Sequence, residues 1–290
     1  MSAVPNSAGT SVPRFKAPAD AADCHLHIYD TRFKMAWPKL RAVENASLAE
    51  YRRLQERIGT RRAVIVQPAA YGTDNRVTAD AVASLGLDAA RGIAVVHPGV
   101  SDAELDALHA GGFRGVRFSM HDPRTAITSP DMLAPLAPRL AERGWHVQLH
   151  VRGDQLVEWA DIVEALPCEV VFDHMGRLPQ PEGVRHPAFG IIARRLEAGR
   201  AWVKLSGAYL DTRIGSPRYP DASQVAREWA RRFPERLVWG SDWPHPTERD
   251  TKPDDAVLFD LLHEWARDEA TRRRILVENP QTLYDFRHRP

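Results

Sequence analysis

Short runs rich in valine, isoleucine and leucine recur along the chain, and a helix-length amphipathic segment separates each from the next. A strand that is apolar throughout suits a parallel sheet covered on both faces, and strand-helix alternation is how such a sheet is built. Eight runs can be counted, at residues 23–29, 63–67, 93–97, 115–119, 146–151, 170–174, 202–206 and 237–242. Helical patterns follow them at 48–58, 79–87, 103–110, 132–142, 155–166, 189–197, 223–233 and 256–266. Ser101-Asp102, Ser129-Pro130-Asp131 and Asp221-Ala222-Ser223 supply helix starts, and Gly144 supplies a stop. Eight strand-helix pairs in strict order close a ring. The expected fold is therefore α/β, a single (β/α)₈ TIM barrel, which takes about 250 residues of a chain of 290. Residues 1–20 are expected as a flexible tail and 21–290 as the barrel. A last helix at 269–278 is expected to end at Asn279-Pro280, with Leu283, Tyr284 and Phe286 docking back on the barrel.

Charge excludes two classes of partner. With 39 basic and 38 acidic residues, no general field attracts nucleic acid or an anionic membrane. Cys24 and Cys168 are too few for a disulfide framework and fit a reducing compartment. The N-terminal residues lack the apolar stretch of a secretory signal, and no apolar run has membrane-spanning length. A cytoplasmic enzyme is the expectation.

In such barrels, polar residues at the C-terminal ends of the strands carry function. The first run holds His25-Leu26-His27, and the period of two in a strand sends both imidazoles to one side, where they can share a metal ion or a water. The fifth run ends at His150, and the sixth ends Asp173-His174. In the eighth, Asp242 stands where an apolar strand gives way to a loop, and a carboxylate is costly to bury there without a partner. Ser206 and Ser241 also sit at strand ends, but neither lies in the Gly-x-Ser-x-Gly elbow of a serine hydrolase.

Taken in order, DCHLHIYD, VQLH, VFDHMGR, WVKLSGAY and LVWGSDWPHP resemble the amidohydrolase superfamily, and within it the branch of pyrone-dicarboxylate, muconate and sugar lactonases. The segment 67–75, QPAAYGTDN, is also similar to that branch. The resemblance implies hydrolysis of a carboxylated lactone by water, with Asp242 as general base, His25, His27 and His174 around the reacting carbonyl, and His150 as a further catalytic candidate. Binuclear members carry a bridging lysine at the fourth strand. Here that run reads Gly115-Val116-Arg117-Phe118-Ser119, and Lys204 is the only lysine inside any run. A dimetal centre is thus not expected. The resemblance favours chemistry that requires no cofactor, and the alternative is one divalent ion, zinc or manganese, on His25, His27 and Asp242.

Arginine forks suit carboxylates, so Arg117, Arg124, Arg177 and Arg213 are candidate substrate ligands, together with Tyr71. Tyr29, Trp37 and Trp243 are candidate walls for an unsaturated ring; His97 is left aside. Two rival readings remain: a metal-dependent decarboxylase of the same superfamily, and a non-catalytic barrel that binds a small molecule. The set His25, His27, His174 and Asp242 speaks against the second, since binding alone needs no base beside several imidazoles.

Overall fold

The computed structural model of the protein describes residues 3–40, 43 and 45–286. Its strands are β1 (Ala22–Leu26), β2 (Arg62–Val66), β3 (Ala90–Ala94), β4 (Phe113–Ser119), β5 (His146–His150), β6 (Val170–Phe172), β7 (Ala201–Leu205) and β8 (Leu237–Trp239). All eight pair in parallel and in sequence order. Closure comes just past β8: Asp242 N donates to His25 O at 2.8 Å, and His27 N donates to Trp243 O at 2.8 Å. These two bonds clasp the end of the first strand to the loop after the last.

The helices α1 (Leu48–Ile58), α2 (Arg76–Leu85), α3 (Asp102–Ala110), α4 (Leu133–Glu142), α5 (Gly153–Glu158), α6 (Ala160–Glu164), α7 (Pro187–Glu197), α8 (Pro220–Arg232) and α9 (Asp255–Trp265) surround the sheet. Reciprocal capping boxes start α1 (Ser47 with Glu50) and α3 (Ser101 with Glu104), each satisfying backbone donors that a helix start leaves open. The arrangement is a TIM barrel.

Several boundaries differ from expectation by a few residues, and three of these differences have a local reason. The third strand lies three residues earlier than the 93–97 run, because Arg91 and Gly92 hide its start. The buried Arg91 guanidinium stacks 4.7 Å from the Phe286 ring centroid. At Gly92 the Phe113 ring lies 2.7 Å from where a Cβ would stand. The segment 155–166 breaks at Trp159, whose φ of −101° and ψ of 18° separate α5 from α6. The helix expected to stop at Asn279-Pro280 continues from α10 (Glu269–Arg273) through a π turn (Arg274–Glu278) into α11 (Asn279–Tyr284). Proline is tolerated there because it stands in the first turn of α11.

Leu283, Tyr284 and Phe286 pack with Cys24, Val64, Ile93 and Trp202 in one buried cluster. Arg62 and Arg91, at the N-terminal ends of β2 and β3, both lie over Phe286. That end of the barrel is plugged, which leaves the other for chemistry. The N-terminal residues, expected as a loose tail, follow a defined path from residue 3 onward. Val4 is buried, Trp243 Nε1 donates to Pro5 O at 2.9 Å, and Arg14 pairs with Asp260 of α9. Arg57 of α1 donates to Ala8 O and Ser11 O. Among the described residues no helix is long and apolar enough to cross a membrane.

Candidate active site

The C-terminal ends of β1, β6 and β8 bring three imidazoles and a carboxylate together. Asp242 has a left-handed backbone (φ 62°), a conformation that side chains other than glycine adopt at a cost and that concentrates at functional sites. Its Oδ1 lies 3.6 Å from His25 Nε2, 3.7 Å from His27 Nε2 and 4.0 Å from His174 Nε2. Its Oδ2 accepts from Tyr209 Oη at 2.7 Å. His27 Nδ1 donates to Val66 O at 2.8 Å, which leaves its Nε2 as an acceptor toward the site. His174 Nδ1 is fixed by Ser206 Oγ at 2.9 Å.

Beneath this cluster lies a buried polar ring. Asp173 Oδ2 accepts from Arg117 Nε at 3.0 Å and Gln148 Nε2 at 3.1 Å, while its Oδ1 lies 3.2 Å from His25 Nδ1 and 3.8 Å from Lys204 Nζ. Lys204 Nζ donates to Gln148 Oε1 at 2.7 Å and lies 3.3 Å from His25 Nδ1. Burial alone would raise the Asp173 carboxyl, but His25, Arg117 and Lys204 outweigh it and hold the group well below the usual carboxylate range. Burial draws Lys204 down to about 8, so it keeps its charge at pH 7. Burial also lowers His25, His27, His150 and His174 from their ordinary value, and all four are neutral at pH 7.

Over the cluster opens a cavity of about 360 Å³ whose wall includes His27, His150, His174, Asp242, Arg117 and Tyr29. His25 is fully buried and is not part of that wall. Other sequence candidates lie outside the cavity lining. Arg177 grips Asp211 with two bonds (2.7 and 3.0 Å) and donates to His150 Nε2 at 2.8 Å, so it braces that histidine from behind. The Arg124 side chain is 87% exposed and forks onto Asp122. Arg213 is exposed, with its backbone N–H on Asp221. Tyr71 is buried with its hydroxyl on the backbone N and O of Asp30. Trp37 is 55% exposed, and Trp243 is fully buried against Tyr51. His97 lines a separate groove of about 550 Å³ with Asn75 and Glu104.

Sequence reasoning named Arg117 but missed how Gln148, Asp173 and Lys204 join it in one ring, and missed part of the rim. Gln148 stands two residues before His150 in one strand and therefore on the same side; Lys204 was visible as the lone strand lysine. Lys39 and Arg249, two exposed cations on the cavity wall, come from loops whose course no pattern announces. His245 and Asp255, linked behind Tyr209, were likewise unread.

The donor set fits one divalent ion. Tetrahedral zinc with bonds of about 2.0–2.2 Å needs ligand atoms roughly 3.3–3.6 Å apart. The Nε2 atoms of His25 and His27 are 3.3 Å apart, and each imidazole nitrogen lies 3.6–4.0 Å from Asp242 Oδ1. A second group, His150, Asp173 and His174, fits poorly because Arg177 already donates to His150 Nε2 and Arg117 and Ser119 lie on its Nδ1. The tautomer of His25 decides whether the first group can bind. If Nδ1 accepts from Lys204, the ring proton sits on Nε2 and points to His27 Nε2; if Nδ1 donates to Asp173, Nε2 is bare.

The amidohydrolase family model matches residues 22–286. A 2-pyrone-4,6-dicarboxylate hydrolase of Comamonas testosteroni is 37% identical over 287 residues, covering 96% of this chain and 94% of that protein. A 4-sulfomuconolactone hydrolase of Rhizobium radiobacter is 33% identical, covering 93% of this chain and 91% of its own. A crystal structure of an Agrobacterium tumefaciens protein in its apo form superposes with a TM-score of 0.87 at 30% identity, covering 97% of this chain and 98% of that one. The barrel, its strand-end histidines and aspartate, and these matches along nearly the whole length give one conclusion: the chain belongs to the amidohydrolase family.

Proposed function

We propose that the protein hydrolyses a carboxylated lactone of the 2-pyrone-4,6-dicarboxylate, muconolactone or sugar-lactone kind. The observation that carries this reading is Asp242 Oδ1 set within 3.6–4.0 Å of three imidazole nitrogens, beside a cavity that also presents Arg117. The names of the two similar hydrolases support the substrate class.

In this mechanism Asp242 takes a proton from water through Oδ1, and the oxygen of that water bonds to the lactone carbonyl carbon. The carbonyl oxygen gains negative charge and is met by the Arg117 guanidinium in the cavity wall and by His174, whose Nδ1 accepts from Ser206 Oγ so that Nε2–H is free to donate; the His25 and His27 rings, sharing one proton between their Nε2 atoms, flank Asp242 instead. The ring C–O bond then breaks. The leaving oxygen recovers the proton from Asp242, giving the open-chain acid. An enol leaving group is less basic than an alcohol and eases this last step. Arg117 and the rim cations Lys39 and Arg249 receive the substrate's carboxylates. His150, held between Ser119, Arg117 and Arg177, positions rather than reacts.

No metal is required in this reading. Lys204 donates to His25 Nδ1, so His25 can present Nε2–H, and every ring nitrogen in the chain Lys204, His25, His27, Val66 O finds a partner. A second reading has His25, His27, His174 and Asp242 hold one zinc or manganese ion; such an ion supplies Lewis acidity and lowers the pKa of water. Its support is the ligand-atom spacing.

The test is a panel of carboxylated lactones given to metal-stripped protein and again to protein with added zinc or manganese. Ring opening in both arms supports the metal-independent form, and opening only with metal supports the second. Release of CO₂ from an aromatic acid by zinc-loaded protein would favour the rival decarboxylase. Tight binding of a lactone with no turnover in either arm would favour a binding barrel.

A further inference from the structure

Past His25 and His27 the alternation of the first strand runs on to Tyr29. Leu26 and Ile28 pack into the hydrophobic core, whereas His27 and Tyr29 line the cavity. Tyr29 is 4% exposed, and its hydroxyl has no hydrogen-bond partner among the described residues although it is not sealed in the core. The other tyrosines near the site use their hydroxyls inside the protein: Tyr71 on the backbone of Asp30, Tyr51 on Asp23 at 3.1 Å and Tyr209 on Asp242 at 2.7 Å. A phenol withdrawn from bulk water costs free energy unless something accepts its proton. For Tyr29 that acceptor is whatever fills the cavity.

We infer that Tyr29 is a catalytic residue, whose hydroxyl donates a hydrogen bond to the lactone carbonyl oxygen as that oxygen becomes negative. This inference rests on the proposed lactone hydrolysis with Asp242 as base. The charged groups that act on the hydroxyl are Arg117, Asp242 and Arg249. Asp242 takes the proton from water and Arg117 meets the oxyanion, so a donor felt by both stands at the reacting end of the cavity. As the water oxygen bonds to the carbonyl carbon, the carbonyl π pair moves onto oxygen and a water proton passes to Asp242. When the ring C–O bond breaks, that pair re-forms the carbonyl and the leaving oxygen takes the proton back. Tyr29 keeps its own proton throughout, as suits a phenol with an ordinary pKa of about 10.

An oxyanion donor works by being held in place before the charge develops. Tyr29 N donates to Ala46 O at 3.0 Å and Tyr29 O accepts from Ala46 N at 2.8 Å, a two-way bridge. The next residue is pinned by Tyr71, whose hydroxyl accepts from Asp30 N at 2.9 Å and donates to Asp30 O at 3.0 Å. The Tyr29 and Tyr71 rings lie 6.2 Å apart at 47°. Tyr71 stands outside the cavity wall, but it fixes the chain that carries Tyr29 into it.

The test is Tyr29→Phe, which keeps the ring and its packing and removes only the hydroxyl, so the native melting temperature should be retained. In steady-state kinetics on whichever lactone the panel identifies, kcat should fall by at least about 10-fold; the ceiling is the roughly 100-fold to 1,000-fold typical of one oxyanion donor, because Arg117 and His174 remain. KM should change less than about threefold, as for an interaction made in the transition state alone. The loss should also be equal, within about threefold, for lactones with enol and with alcohol leaving groups, since the hydroxyl acts on the carbonyl oxygen. A folded Tyr29→Phe protein with kcat within about tenfold of the native value overturns the inference. So does a loss confined to KM, which would make Tyr29 a binding contact, or a loss that grows with the basicity of the leaving oxygen, which would place the hydroxyl there instead. Absence of lactone turnover by the native protein in every arm of the panel would strike the proposed function itself, and this inference with it.

Discussion

Replacing Lys204 by methionine keeps the length of the side chain and deletes its charge. The ammonium is fully buried, donates to Gln148 Oε1 at 2.7 Å, and stands 3.3 Å from His25 Nδ1 and 3.8 Å from Asp173 Oδ1. Removing one partner of a buried ion pair costs about 3–5 kcal/mol. Arg117 still holds Asp173 at 3.0 Å, which puts the loss near the lower end. At roughly 2–4 °C per kcal/mol for a chain of about this size, melting should fall by about 6–12 °C. The second effect is chemical. Without a donor at Nδ1, His25 is free to give that proton to Asp173 and bare Nε2 for a metal ion. A hydrogen bond to a charged group is worth about 1.5–3 kcal/mol, so zinc should bind roughly 10-fold to 150-fold more tightly than to the native protein. Calorimetric titration of zinc into native, Lys204→Met and Lys204→Met/Asp242→Asn proteins measures this, the double variant losing the gain with its carboxylate. An unchanged zinc affinity in a folded Lys204→Met protein would refute the claim that Lys204 sets the His25 tautomer.

Further outcomes follow from the same geometry. Arg117→Met should raise KM for a carboxylated lactone by about 10-fold or more, one charge-assisted bond being worth at least that, whereas Arg124→Ala should leave KM within about twofold because its side chain is 87% exposed on Asp122; steady-state kinetics on both variants distinguishes a cavity arginine from a surface one. His146, buried at the start of β5, is pushed by burial down to about 3. Its folded form therefore binds fewer protons than the unfolded chain, so its contribution is intact above pH 6.5 and is lost as pH falls toward 3, by about 1.4 kcal/mol per unit. Urea midpoints of His146→Leu between pH 6.5 and 4 should accordingly fall less steeply than those of the native protein; identical slopes would contradict this.

The barrel was legible because its strands are buried on both faces, as in β2, where all five residues of Arg62–Val66 are buried, and such runs stand out against amphipathic helices. His25 and His27 were legible because a period of two survives any uncertainty in strand ends, and Asp242 because a carboxylate at the end of an apolar strand needs a reason. Arg124 shows the limit of such reading: its position after β4 is a fact of sequence, but its direction depends on a loop in which its side chain forks onto Asp122, two residues away. Tyr71 belongs to a motif-like stretch, yet its hydroxyl serves the backbone of Asp30, a partner 41 residues distant. The inner ring was unreadable for the same reason. Arg117, Gln148, Asp173 and Lys204 come from four different strands or their ends, and only barrel closure makes them neighbours. Likewise His245 looks like one more residue of a proline-flanked loop until Tyr209 and Asp255 are seen on either side of its ring.

Turnover of a carboxylated lactone by Asp242→Asn bears most directly on the proposed chemistry. The substitution keeps the shape of the side chain and removes the base, so kcat should fall by about 100-fold to 10,000-fold, the usual contribution of general acid-base catalysis, with the melting temperature of the native protein retained. A folded Asp242→Asn protein that opens the lactone at a rate within tenfold of the native enzyme would contradict the account.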